Sequence, residues 1–410
     1  MLRLIYIIGT YPLLTTTFID REITTLRRWG VDLQVVAMRR PEAEAPLSQE
    51  QRELQRGVLY LLPVAWPALI AAHLHFALAR PGRLLATLAY LLSRPHPSAR
   101  ARLKTLLHFG EGVYAAYLLR GRQFHELHAH FVDRAATVAL VAARLLDRPY
   151  SLSIHAAADI FVSPVLLGEK LAGARRAVTC TEYNRAHLAA LLGPELGARV
   201  SRVYHGLDLA RYRPAPAPAG GPPLIVAVGQ LVERKGFAQL IGACRALRDR
   251  GYAFECQIVG RGPQREALEA LIARLDLGGQ VALRGALCHE EVIALYRRAT
   301  IFALPCVRSR DGDLDGIPNV IAEAMAMGLP VVSTSVSAIP ELLQDGVGGL
   351  LVPPGDERAL AEALAGLLDD PARRAELGRR GRQAVLASFD VEANVRRFAA
   401  TLWPEWFPRA

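Results

Sequence analysis

Residues 315–338 read DGIPNVIAEAMAMGLPVVSTSVSA. Asp315, Gly316 and Pro318 predict a turn, a short helix starts near Asn319, and Gly328 followed by Pro330 stops it. The apolar run Val331-Val332-Ser333 then predicts a buried strand. A turn, a helix and a strand in this order form one step of an α/β sheet. The same step carries two carboxylates, Asp315 in the turn and Glu323 in the helix. Carboxylates near a helix N-terminus can accept bonds from hydroxyls while the terminal amides face a phosphate.

The pattern continues outward along the chain. Upstream lie strands LIVAVG, FECQIVG, QVALRG and TIFALP, and LPVVST closes the quoted unit. The first half has its own series, with strands LRLIYII, VDLQVVAM, HAHFV, YSLSIHA and RRAVTCT. Helices are predicted at about Ile19–Trp29, Ala135–Leu146 and Glu182–Leu192 between them. Residues 213–223, RPAPAPAGGPP, have linker composition. The expected fold is α/β, with two doubly wound (Rossmann-like) domains facing across a cleft. One domain spans residues 1–212 and the other 213–387. A final helix, near Val391–Leu402, and the tail WPEWFP fall within residues 388–410. Ligands of such sheets sit at the carboxyl ends of the strands.

Composition narrows the class of function. The chain has 410 residues, 51% of them hydrophobic, enough for large cores. Its five cysteines are odd in number and form no C-x-x-C, which suits a reducing compartment and argues against a disulfide framework or a zinc site. The start MLRLIYIIGTYP reads as a buried first strand rather than a signal peptide. The net charge of +10 is uneven: Lys and Arg exceed Asp and Glu by 11 in residues 1–220 and fall one short in 221–410. Between Glu53 and Glu111 there is no acid, while Arg56, Arg80, Arg83, Arg94, Arg100, Arg102 and Lys104 border runs such as AWPALIAAHLHFALA. Apolar faces edged by arginine suit an anionic membrane surface, and a pair of ordinary packed helices with solvated arginines fits as well. His73, His75 and Arg80 interrupt the apolar run before it could span a bilayer. No basic stripe interleaved with aromatics points to nucleic acid.

Several residues suit phosphate or sugar chemistry. In GQLVERKGF, Gly229 ends a strand and Lys235 precedes Gly236, so backbone amides and an ammonium can meet a diphosphate. In IVGRGPQREALE, Gly260 and Gly262 form a strand–turn–helix junction with Pro263 in the first turn. His130 and His155 each follow an apolar strand, where a structural role is the commoner one. The run DGDLDG, with Asp311, Asp313 and Asp315, has the first half of a calcium loop, but Ala322 stands where the closing acid belongs.

Together these blocks resemble the retaining family 4 glycosyltransferases, which have the GT-B fold (glycosyl transferases group 1). The resemblance rests on the acid-x7-acid pair, on GIPN, EAMAMGLPVV and IPELLQDGVGGLLVPPGD around it, on GQLVERKG and on YHGLDLARYRP. It implies a hexosyltransferase-type enzyme that uses a nucleotide diphosphate sugar as co-substrate, with no cofactor and no metal. Asp315, where the family more often has Glu, would orient the donor sugar, with Gly316, Ile317, Pro318 and Asn319 beside it. Glu323 would hold the ribose, and Lys235 the β-phosphate near Gly229. Gln230 stands where the family has Arg, so that cation is lost or supplied by Arg234. Gly260 and Gly262 would border the nucleotide, with its base near residues 284–287, ending at Leu287. His155 would reach the donor sugar, and His130 is second to it.

The loop GTYPLLTTTFIDRE resembles the FPxxSETFI opening of exopolysaccharide glycosyltransferases, with Thr16 in place of Glu. Thr15, Thr16 and Thr17 would therefore face the acceptor, a saccharide or lipid-linked saccharide, with His130 on the same side. The resemblance implies a cytoplasmic protein, peripheral on the inner face of the membrane. Two alternatives stand beside it: a nucleotide-sugar epimerase of the same fold, and a non-catalytic nucleotide-sugar binder.

Overall fold

The computed structural model describes residues 1–43, 45–155, 158–214 and 220–408. Most of the expected linker, residues 215–219, and the last residue of the expected strand YSLSIHA lie outside the described residues. The chain forms two compact units, Met1–Tyr204 with Glu392–Ala410, and His205–Val391.

The first unit holds β1 (Arg3–Thr10), β2 (Asp32–Arg39), β3 (Leu59–Tyr60), β4 (Glu126–His130), β5 (Tyr150–Ile154), β6 (Ala177–Thr179) and β7 (Val200–Arg202). All are parallel, in the order β3-β2-β1-β4-β5-β6-β7. β1 reads RLIYIIGT and its middle is fully buried, as a central parallel strand covered on both faces requires. Helices connect the strands. That at Glu182–Leu192 starts where the Thr181 hydroxyl accepts the Asn184 N–H (3.0 Å), and that at Arg134–Leu146 where Asp133 accepts the Ala135 N–H (2.9 Å). Residues 49–119 add the helices Gln49–Arg56, Trp66–Ala79, Pro81–Leu92 and Ala99–Leu119.

The second unit holds β8 (Leu224–Val228), β9 (Glu255–Val259), β10 (Val281–Gly285), β11 (Ile301–Leu304), β12 (Val331–Thr334) and β13 (Leu350–Val352). They too are parallel, in the order β10-β9-β8-β11-β12-β13. In each sheet the strand order reverses beside its first strand, between β1 and β4 and between β8 and β11. Such a reversal opens a crevice at the carboxyl ends of the strands.

The helix in the quoted stretch spans Asn319–Ala326. Gly328 takes φ +76°, a conformation glycine adopts without strain. The Leu329 N–H then reaches the Ala324 carbonyl (3.1 Å) and the Gly328 N–H the Met325 carbonyl (2.9 Å), closing the helix as a Schellman motif.

The unit boundaries differ from those expected, falling at Tyr204/His205 rather than 212/213. Two contacts explain this. Tyr212 is fully buried, with its hydroxyl 3.1 Å from His289 Nε2, and Leu207 pairs with Asp390. Both hold residues 205–212 in the second unit, together with residues 388–391. The helix Val391–Leu402 carries the chain back to the first unit, where Trp403 is buried against His128 (5.6 Å) and Phe398 (5.6 Å). Trp406 packs on His125 (4.9 Å) and Phe407 on Trp29 (6.0 Å), so the aromatic tail anchors to the first sheet.

Candidate active site

In the second unit, β8 ends at Val228 and its loop runs through a short 3-10 turn, Glu233–Lys235. That turn aims two cations at the segment after β11. Lys235 is buried, with Nζ 2.9 Å from Asp315 Oδ2. Arg234 Nε lies 3.4 Å from Asp315 Oδ1, and its NH1 lies 2.8 Å from Asp313 Oδ2. Burial alone would raise the Asp315 pKa. The Lys235 and Arg234 charges outweigh it and hold the carboxyl below its ordinary range. At Asp313, burial wins over Arg234 and the carboxyl is raised. Cys306 lies beneath this cluster, its Sγ 3.9 Å from Asp315 Oδ2, and burial followed by that negative charge pushes its thiol up to about 12.

The loops are tied to each other by backbone bonds. Gly229 N–H donates to Val259 (2.9 Å), Leu231 N–H to Arg261 (2.9 Å), and Gly260 N–H to Gly285 (2.8 Å). Val307 N–H donates to Arg234 (2.9 Å), joining the two sides of the strand-order reversal. A Cβ at Gly260 would stand 1.8 Å from the Gly229 carbonyl oxygen, and one at Gly262 would stand 2.4 Å from that of Leu231. Only glycine permits this approach.

The expected donor residues fall as follows. Gly229, Lys235, Arg234, Gly260, Gly262 and Asp315 share one connected set of loops. Gly316 and Pro318 are buried and Ile317 half-buried, leading into the helix Asn319–Ala326. Among the described residues no side chain caps the start of that helix at Pro318. Asn319 Oδ1 lies 3.3 Å from His205 Nδ1. Glu323 is buried in the helix. Leu287 is half-buried and follows Gly285 in the segment after β10. Gln230 is exposed, and Arg234 is the second cation beside Lys235.

The calcium-loop reading fails on geometry. Asp313 and Asp315 face Arg234 and Lys235, and Asp311 accepts the Ser309 hydroxyl (2.5 Å), so the three carboxylates do not converge.

In the first unit, His130 ends β4 and His155 follows β5. Parallel pairing of these strands stacks the two rings 6° from parallel, with His130 Nδ1 3.1 Å from His155 Nε2. His130 Nε2 faces Glu22 Oε1 at 3.3 Å, an electrostatic contact rather than a well-aligned bond. Tyr6 donates its hydroxyl to the same Glu22 oxygen (2.6 Å). Phe18 and Phe131 pack on His155 at 4.8 and 4.6 Å. His128 is buried between the Ser151 and Ser153 hydroxyls, both at 2.9 Å, and burial holds it well below its ordinary pKa.

Sequence reasoning missed Glu22. The signal was a carboxylate four residues after Phe18, on the apolar stripe of the helix Thr17–Arg28. It also missed Lys170, whose buried ammonium donates to the Val132 (2.5 Å) and Asp133 (3.0 Å) carbonyls. Burial lowers Lys170 to about 8, and burial raises Asp159 to about 6. Of the acceptor-side threonines, Thr15 is exposed, Thr17 is half-buried and Thr16 is buried. The Thr16 hydroxyl both accepts the Leu13 N–H and donates to the Leu13 carbonyl, each at 3.0 Å. Those bonds close the turn that starts the helix, which accounts for Thr16 structurally.

The geometry defines two doubly wound units with charged loops at their carboxyl ends, and comparison with known proteins agrees. The family described as "Glycosyl transferases group 1" matches residues 222–370, so the chain carries a glycosyl transferases group 1 domain. WcaL of Escherichia coli (strain K12), named for colanic acid biosynthesis as a glycosyltransferase, is 41% identical over 205 residues, 50% of each chain. The amylovoran biosynthesis glycosyltransferase AmsK of Erwinia amylovora is 40% identical over 178 residues, 43% of this chain and 44% of that one. The chain thus spans about half the length of the curated relatives it matches. The structure of Anabaena HepE in complex with UDP-glucose superposes with a TM-score of 0.72 at 17% identity, covering 98% of this chain and 99% of that one. At that identity the likeness establishes the fold, which is GT-B.

Proposed function

We propose that this chain is a retaining glycosyltransferase that moves a sugar from a nucleotide diphosphate sugar to a hydroxyl of a lipid-linked saccharide, in the making of an exopolysaccharide or other surface polysaccharide. The observation that carries the reading is the Lys235–Asp315–Arg234 cluster at the strand-order reversal of the second unit, beside the uncapped helix Asn319–Ala326. The names of the relatives support the polysaccharide context.

The chemistry follows from the charges. Lys235, Arg234 and the helix N-terminus stabilise the negative charge that grows on the leaving diphosphate, the task a divalent ion performs elsewhere. Asp315 orients sugar hydroxyls and Glu323 accepts the ribose hydroxyls. The acceptor oxygen bonds to the anomeric carbon on the face from which the phosphate oxygen departs. The acceptor proton goes to that departing oxygen, so no protein nucleophile is needed. His155, oriented by His130 and Glu22, contacts the sugar. The basic first half suits a protein that works in the cytoplasm at the inner face of the membrane, where a lipid-linked acceptor is presented.

Calorimetry against nucleoside diphosphates and their sugars, with EDTA or Mg²⁺, tests the reading. Binding of one nucleotide in EDTA, weakened in Glu323→Gln, is the expected result. Binding only with Mg²⁺, or none, would overturn it. Conversion of the donor sugar without acceptor would instead indicate an epimerase. Binding without turnover on any acceptor pool would indicate a non-catalytic binder.

A further inference from the structure

The helix Trp66–Ala79 has no charged residue and only His73 and His75 as polar ones, yet it is not enclosed. Ala72 and Phe76 turn inward and are buried. Trp66, Ile70, Leu74 and Leu78, spaced by four residues and so on one face, are 70, 59, 59 and 83% exposed. Scattered exposed leucines are ordinary, but a stripe of four large apolar side chains along one helix is not.

A second helix continues the surface. Ala99–Leu119 lies against the first, and a Cβ on Gly110 would meet the His73 ring at 3.8 Å. It buries Thr105 and Phe109 and exposes Leu103 and Leu107. Arg100, Leu103, Lys104 and Leu107 occupy one face at helical spacing, so exposed cations and exposed leucines alternate on it. Arg83 pairs with Asp147 (2.9 Å) and Arg94 stacks on Tyr90 (4.8 Å), whereas no ion pair is seen for Arg100, Arg102 or Lys104 among the described residues. No acid occurs between Glu53 and Glu111.

We propose that the exposed face of the helices Trp66–Ala79 and Ala99–Leu119 docks on an anionic lipid bilayer, with Trp66, Ile70, Leu74 and Leu107 entering the headgroup boundary and Arg100 and Lys104 meeting lipid phosphates. Two features select a bilayer over a protein partner. Long basic side chains beside leucines can reach back to headgroups while their stems cover apolar surface. A second copy of the same face would bring like charges together, with no acid in this stretch to offset them. Among the described residues no helix is long and apolar enough to cross a membrane, so the contact lies in the interface plane. This assigns a surface to the membrane contact proposed above, and its test does not depend on transfer.

The test is co-sedimentation of the whole chain with phosphatidylcholine vesicles, with and without phosphatidylglycerol. Binding should need the anionic lipid and should weaken when NaCl rises from about 0.05 to about 0.5 M. Arg100→Glu/Lys104→Glu should lower partitioning at least ~tenfold. Trp66→Ser/Leu74→Ser/Leu107→Ser should lower it similarly. These sites are exposed, so melting temperature and nucleotide affinity should stay at the parent's values. No sedimentation with anionic vesicles, or binding by both variants as strong as the parent's, would overturn the proposal and leave the nucleotide site untouched. A dimer in light scattering that the serine variant dissolves would also overturn it, in favour of a second copy.

Discussion

Asp315→Asn tests the cluster on which the functional reading rests. The side chain is 16% exposed and faces Lys235 Nζ at 2.9 Å and Arg234 Nε at 3.4 Å. Removing one member of a buried ion pair typically costs about 3–5 kcal/mol, because the remaining charge is left unpaired. Arg234 keeps Asp313 at 2.8 Å, so Lys235 loses the ion-pair partner it has among the described residues, and the amide oxygen can still accept a bond. We therefore expect a loss of about 2–3 kcal/mol. For a unit of this size that corresponds to a melting point lower by about 4–12 °C.

The pH dependence separates this cause from a packing defect. Because the folded carboxyl is held below its ordinary pKa, its contribution is present above the unfolded value and is lost as pH falls through the folded one. Parent and variant should differ at neutral pH and converge below about pH 4. Thermal melting across pH reads this directly. A melting point within about 1 °C of the parent at pH 7, or a deficit persisting in acid, would refute the reasoning. Calorimetry supplies a second reading. Lys235, no longer held by Asp315, should bind nucleoside diphosphate at least as well as in the parent. The added affinity given by the donor sugar should fall.

Three further outcomes follow from the same geometry. Glu323→Gln should weaken nucleotide-sugar binding by about 1–3 kcal/mol, read by calorimetry, with a smaller effect on a deoxyribose analogue. His155→Ala should reduce kcat more than it raises KM, and Glu22→Gln should shift the pH profile of kcat if Glu22 and His130 set the proton on His155; unchanged kinetics in both would place the histidines outside the site. Gly262→Ala would push a methyl group to 2.4 Å from the Leu231 carbonyl, so it should lower the melting point and weaken donor binding together, whereas an exposed substitution such as Gln230→Ala should leave stability unchanged.

Much of this protein was legible locally. Buried parallel strands such as LIVAV and RLIYII read as continuous apolar runs, and Gly328 with Pro330 marked a helix stop, because each signal lies within one element. Asp315 and Glu323 could be singled out as candidates because one turn and one helix set their spacing, and Lys235 because it stands before Gly236 in the loop that follows a strand. Local pattern therefore determined the α/β class, the two-unit plan and the donor-side candidates.

The tertiary structure decided what depends on residues far apart in the chain. Glu22, His130 and His155 meet only because β4 lies between β1 and β5 in the first sheet. The aspartates at 313 and 315 resembled cation ligands in sequence, and became partners of Arg234 and Lys235 because the β8 and β11 loops adjoin where the strand order reverses. The apolar helix Trp66–Ala79 fits a buried core and a surface equally well by composition. Burial of Ala72 and Phe76 on one side left Ile70, Leu74 and Leu78 in solvent on the other. Periodicity tells which residues share a face, and only packing decides which face is covered.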